Sequence, residues 1–236
     1  INQLYMEEVS SVSSTGASQA IQTYSVCGNS YAYVTGATGI DVWNITDAGN
    51  MSLVQESKIV PQGYENFVIS KGYIYVPAGH NLKSYRIKND GTLETTETKS
   101  AWIQGDSLWN WRSSTRVIDD KYLLISSKAL NGFKITAYNI GTPGNMELIP
   151  AFMSKYENPG DILACENFDI VKLSEDVYRI YTIAIEWANR GTTKLALLVV
   201  NFKENTSERR YLGTVSSLSG IAANKEPVDL IALSDK

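Results

Sequence analysis

The chain has 236 residues, 43% of them apolar, and a formal net charge of −4 from 25 acidic and 21 basic side chains. That length can bury one large core or a repeat array. The acidic balance excludes a basic nucleic-acid groove, and no run approaches the ~20 apolar residues of a membrane-spanning helix.

The first 19 residues begin with a strand-like stretch at 4–9, followed by a Ser-rich run from Val9 to Gln19 that reads as loop. No basic-then-apolar signal segment precedes them, although a secreted chain stripped of its signal would read the same. Four repeats follow. Tyr31-Ala32-Tyr33-Val34, Tyr73-Ile74-Tyr75-Val76, Tyr122-Leu123-Leu124-Ile125 and Tyr178-Arg179-Ile180-Tyr181 each open a short apolar strand. Each is followed by a strand that ends Asn44-Ile45, Arg86-Ile87, Asn139-Ile140 or Asn201-Phe202, and then by a turn. A period of about 40–50 residues with four strands per unit is the mark of a β-propeller. The expected fold is therefore all-β, with four-stranded antiparallel blades over 21–59, 66–99, 115–152 and 167–215.

In the first blade the expected strands are 23–27, 31–35, 40–44 and 52–58, with Cys27-Gly28-Asn29 as the first turn. In the second, Asn89-Asp90-Gly91 is a hairpin signal leading to an outer strand that ends near residue 99. The third turns at Asp119-Asp120, Asn131-Gly132 and Thr142-Pro143-Gly144. The fourth turns at Ser174-Glu175-Asp176, Asn189-Arg190-Gly191 and Glu204-Asn205-Thr206. The tail 227–235 resembles the inner strand beginning at Asn167, so the sequence reads as starting on an outer strand and stopping on an inner one. A truncated propeller of five to eight blades in its intact form is expected, the alternative being an incomplete fifth blade completed by another chain. Cys27 and Cys165 fall in different repeats and read as small buried hydrophobes.

Two resemblances follow from these residues. The run from Tyr31 to Val54, with Gly39-Ile40-Asp41-Val42-Trp43-Asn44-Ile45-Thr46-Asp47, resembles the LVIVD-type repeat of bacterial surface propellers, without that repeat's prolines. Tyr75 to Leu93 is similar to a blade of the lactonase-like seven-bladed propellers. Both resemblances concern blade architecture and imply no catalytic residue here. They imply an extracellular, cell-surface or periplasmic protein, with any lipid anchor lying outside this chain.

Chemistry is sparse. The single histidine, His80, reads as a turn residue, and no hydrolase, phosphate-loop or zinc motif is present. Glu65, Glu166 and Glu226 each precede an inner strand, and at one end of a channel such carboxylates would take Ca2+ or form a general acid/base pair. The ordinary alternative is that they cap turns in water. The connection between the second and third blades holds Trp102, Trp109, Trp111, Arg112 and Arg116, three of the five tryptophans among them. Glu186 and Trp187 repeat that composition in the fourth blade, at an end that strand counting leaves open. Aromatic faces stack on sugars; the alternative is that these rings plug the crevice between blades. The sequence thus favours a non-catalytic propeller binding a glycan or protein partner and needing no cofactor. A carboxylate-dependent lactonase-like hydrolase or lyase and a structural assembly module remain as alternatives.

Overall fold

A computed structural model of the chain describes residues 20–36, 39–56, 67–78, 81–94, 99–102, 114–129, 132–149, 168–185 and 193–214. Among the described residues sixteen strands form four separate four-stranded antiparallel sheets, each made of strands consecutive in sequence. The first blade holds β1 (Ile21–Val26), β2 (Asn29–Gly36), β3 (Gly39–Asn44) and β4 (Ser52–Gln55). The second holds β5 (Val68–Ser70), β6 (Tyr73–Ala78), β7 (Asn81–Arg86) and β8 (Lys99–Trp102). The third holds β9 (Ser114–Ile118), β10 (Tyr122–Ala129), β11 (Gly132–Asn139) and β12 (Glu147–Leu148). The fourth holds β13 (Phe168–Ser174), β14 (Val177–Ile185), β15 (Thr193–Asn201) and β16 (Thr206–Thr214).

Local chemistry fixes the first hairpins. Val26 pairs with Asn29 and Ser70 with Tyr73, which leaves two-residue turns at Cys27-Gly28 and Lys71-Gly72. All four turn residues have positive φ, from 49° to 82°, the backbone that matches the twist of the strands a tight hairpin joins.

Three apolar layers hold the blades together, one at each junction. Tyr31, Tyr33, Ile40 and Val42 of the first blade meet Ile74, Val76 and Tyr85 of the second. Tyr75 and Leu82 meet Leu123, Ile125 and Tyr138 of the third. Tyr122, Leu124 and Ala137 meet Phe168, Tyr178 and Phe202 of the fourth. The alternation along β10 explains its unbroken apolar sequence. Leu123 and Ile125 point to one neighbouring blade, Tyr122 and Leu124 to the other, and all four are buried. Burying a leucine such as Leu124 fully contributes about 1.5–3 kcal/mol. The inner strands β1, β5 and β9 lie next to one another in turn, so the sheets fan outward from an axis. The fold is a β-propeller built of four-stranded antiparallel blades.

The Asn89-Asp90-Gly91 turn closes an antiparallel bridge between Ile87 and Leu93, with the Glu94 N–H donating to the Arg86 carbonyl. β8 at Lys99–Trp102 pairs with Asn81 to Ser84. Leu93 is fully buried against the first blade, where the Gln55 amide bonds both its N–H (2.6 Å) and its carbonyl (3.1 Å). One expectation is corrected. Cys27 is not a buried hydrophobe. It is an exposed free thiol at a left-handed turn position, φ 52°. Cys165, His80 and the predicted end strands at 4–9 and 227–235 lie outside the described residues. Among the described residues no helix is long and apolar enough to cross a membrane.

Candidate functional site

Strand direction sorts each blade into two ends. The turns joining first to second and third to fourth strands lie at one end, and the remaining connections lie at the other. Trp102 pairs with Asn81 at the second of these ends, on the last position of β8 and not in the connecting loop as expected. Arg116 sits in β9 opposite Leu124 and is exposed. Ile185 and Thr193, which flank residues 186–192, pair with each other at that same end. Trp109, Trp111, Arg112, Glu186, Trp187, Glu65, Glu166 and Glu226 lie outside the described residues. Phe67 and Phe168 are both buried at the entry to their inner strands, but they are not in register: Val68 pairs three residues past Gly72 and Val171 three residues past Asp176, so Ile170, not Phe168, is the counterpart of Phe67.

The opposite end carries a chain of inter-blade contacts that sequence reasoning missed. At the first junction Tyr33 Oη donates to the Gly91 carbonyl at 2.8 Å. A Cβ on Gly91 would lie 2.4 Å from the Tyr31 ring. The second junction repeats this device. The Gly144 N–H donates to Tyr75 Oη at 3.3 Å, and a Cβ there would lie 2.6 Å from the Tyr73 ring. The Tyr-x-Tyr opening of one blade therefore clamps the turn glycine of the next. Lys71 Nζ donates to the Gly141 carbonyl (3.0 Å) and Ser70 Oγ to Asp120 Oδ1 (2.8 Å) across the same junction.

The third junction is built differently. The turn after β15 places Asn205, φ 55°, three residues beyond Phe202, whereas Gly91 and Gly144 fall four residues beyond Ile87 and Ile140. With no glycine to clamp, the contact passes to carboxylates. Asp176 accepts from Lys121 Nζ at 2.6 Å and from Tyr122 Oη at 2.7 Å. Asp119 accepts from Lys172 Nζ at 2.5 Å and from Tyr178 Oη at 2.6 Å. Between these struts the Tyr122 and Phe202 rings lie 4.3 Å apart, with Tyr178 at 5.5 Å from Phe202.

Electrostatics follow the hydrogen bonds. The Lys121 ammonium, then the Tyr122 hydroxyl, hold Asp176 below the usual carboxylate range. Lys172 and then Tyr178 do the same for Asp119. Burial, with the bond to Asp176 second, pushes Tyr122 up, and burial followed by Asp119 does so for Tyr178. Asp176 raises Lys121 in return. These groups stay fully charged or fully neutral near neutrality, so they suit positioning, not proton transfer. Among the described residues no three His, Cys, Asp or Glu side chains converge as metal ligands.

A cleft of about 490 Å³ opens at this third junction, walled by Lys121 and Glu147 of the third blade and by Lys203 and Asn205 of the fourth, over Tyr122 and Phe202.

No family model matches the chain, and no curated protein matches it. Its structure is similar to that of a protein from Lactobacillus plantarum, with 17% identity over 82% of this chain and 54% of that one and a TM-score of 0.55. The chain thus spans about half the length of that protein. It is also similar to an alpha-L-arabinofuranosidase from Podospora anserina solved in complex with cellotriose (12% identity, 86% of this chain, 69% of that one, TM-score 0.41). A third match is the WD40 domain of SCAP from fission yeast (7% identity, 85% of this chain, 53% of that one, TM-score 0.43). At such identities the likeness concerns the fold alone.

Proposed function

We propose that this chain is a non-catalytic propeller that binds a glycan at the end of the blades where β8 finishes and β9 begins. The observation that carries this reading is the use made of the described junction carboxylates. Asp119 and Asp176 each accept from one lysine and one tyrosine and are held ionised, as supports between blades. That leaves recognition to the loops at the opposite end, where the sequence gathers Trp102, Trp109, Trp111, Arg112 and Arg116, with Glu186 and Trp187 in the fourth blade. Indole faces stack on the C–H face of a sugar ring, and arginine forks bind its carboxylate or hydroxyl groups. An extracellular or cell-surface setting accords with this use and belongs to the proposal, as does the LVIVD-type or lactonase-like kinship.

A carboxylate-dependent lactonase-like hydrolase is the second reading, supported by the sequence placing Glu65 and Glu166 each ahead of an inner strand. Calcium would be held there by carboxylate oxygens. Glycan-array binding by the full chain and by Trp109→Ala/Trp111→Ala, beside a lactone panel with and without Ca2+, separates the two. The first reading expects saccharide binding that the double variant loses. Lactone turnover, or binding indifferent to both tryptophans, defeats it. Binding only to protein probes would move the partner from glycan to protein.

A further inference from the structure

We propose that the cleft between the third and fourth blades is a second binding site, and that it takes one or two rings of a neutral saccharide. It does not rest on the reading above, because the cleft lies at the opposite end of the blades from Trp102 and the start of β9.

The cleft is a built departure from the repeat. The first two junctions are closed by a tyrosine ring packed on a turn glycine. At the third, the shortened turn sets Asn205 at the left-handed position, and a volume of about 490 Å³ remains between the walls. Ligand pockets run from about 300 to 1,000 Å³, so the space suits a small molecule and not a macromolecular surface. The walls do not slide together to close it. The Asp176 and Asp119 struts, with the stacked Tyr122 and Phe202 rings beneath, hold their spacing.

Charge selects the ligand. Two ammonium groups, Lys121 and Lys203, stand among three carboxylates, Glu147, Glu175 and Asp176, an excess of one negative charge. A phosphate or carboxylate ligand would meet net repulsion. A compact cation would meet the two lysines at close range, and the carboxylates do not converge as metal ligands among the described residues. A hydroxyl group is both donor and acceptor. A polyol therefore answers ammonium and carboxylate groups alternately without carrying charge. Leu148, part exposed on the rim, offers an apolar surface to the C–H face of a ring.

The test is amide NMR and calorimetry on the full chain with cellobiose, maltose and xylobiose, and with cadaverine and inorganic phosphate as charged probes. Expected is saturable binding of at least one disaccharide, with shifts at the cleft. Lys203→Ala or Glu147→Gln should each weaken it at least about tenfold, the effect of losing one hydrogen bond to a charged group. Leu148→Trp, at a part-exposed position, should narrow the mouth and abolish binding with the fold intact. Trp109→Ala/Trp111→Ala should leave this site unchanged. The proposal is overturned if no disaccharide saturates up to about 10 mM, or if only cadaverine or phosphate binds. It is also overturned if saccharide binding follows the two tryptophans and ignores the cleft variants, an outcome that leaves the loop site standing.

Discussion

Tyr122 Oη donates to Asp176 Oδ1 at 2.7 Å across the third blade junction, at the end where the first two junctions set tyrosine against a turn glycine. The repeat thus keeps its tyrosine and changes what the tyrosine meets. Asp176 is nearly buried, and Lys121 completes its neutralisation.

Asp176→Asn should destabilise the chain by about 1–3 kcal/mol at neutral pH, since it weakens two charge-assisted bonds at a site mostly closed to water. Asp119→Asn should cost less, about 0–1 kcal/mol, because Asp119 and Lys172 are both well exposed and water screens the pair. Urea titration of the two variants at neutral pH checks the order.

Stability should fall in acid through these same groups. Both carboxylates sit below their ordinary range when folded, so the unfolded chain protonates first as pH drops past about 4. Their contribution is complete above that value and is lost as pH passes down through the folded pKa. Asp176→Asn should flatten the acid limb of a stability profile relative to the parent chain. An unchanged slope would show that Asp176 does not gain its proton on unfolding.

Gly144→Ala should be far more damaging than Gly28→Ala, although their φ angles are 73° and 82°. A methyl group on Gly144 would collide with the Tyr73 ring, whereas nothing lies within 4 Å of the same group on Gly28. Left-handed strain of about 1–2 kcal/mol applies to both. Overpacking adds about 1–3 kcal/mol only at Gly144. Thermal melts of the two variants measure the difference, and equal losses would refute the tyrosine–glycine clamp.

Cys27 should react with a thiol reagent in the native protein, because it is exposed at the tip of the first hairpin. Peptide mapping after brief alkylation reads this directly. Cys27→Gly should leave stability level or slightly higher, since glycine accepts φ 52° without strain. Protection of the thiol until the chain unfolds would show that the turn is covered.

Local chemistry made the blades readable. Alternation in Tyr31 to Val34 and the Asn/Gly turns marked strands within a few residues of where they fall, because hairpin geometry is decided by neighbours in sequence. The miss at Cys27 is local, since a turn position outweighed its apolar character. The other misses are long-range. Gln55 and Leu93, which bond each other, are 38 residues apart. The struts were invisible for the same reason. Asp119 and Tyr178 are 59 residues apart and meet only once the blades stack. A signal did exist, since the first turns of the third and fourth blades carry Asp119-Asp120 and Glu175-Asp176 where the second has Lys71-Gly72. Of the candidate site residues, Trp102 and Arg116 fall among the described residues and the rest lie outside them; all stay proposals.

The central claim is that junction carboxylates support the blades while recognition proceeds without bond cleavage. The most direct test incubates the full chain and Asp176→Asn with soluble polysaccharides and a lactone panel, measuring retention and product together. The account predicts reversible retention of a saccharide by both proteins and no product from either. Turnover by the parent chain that Asp176→Asn abolishes, with its fold intact, would contradict it.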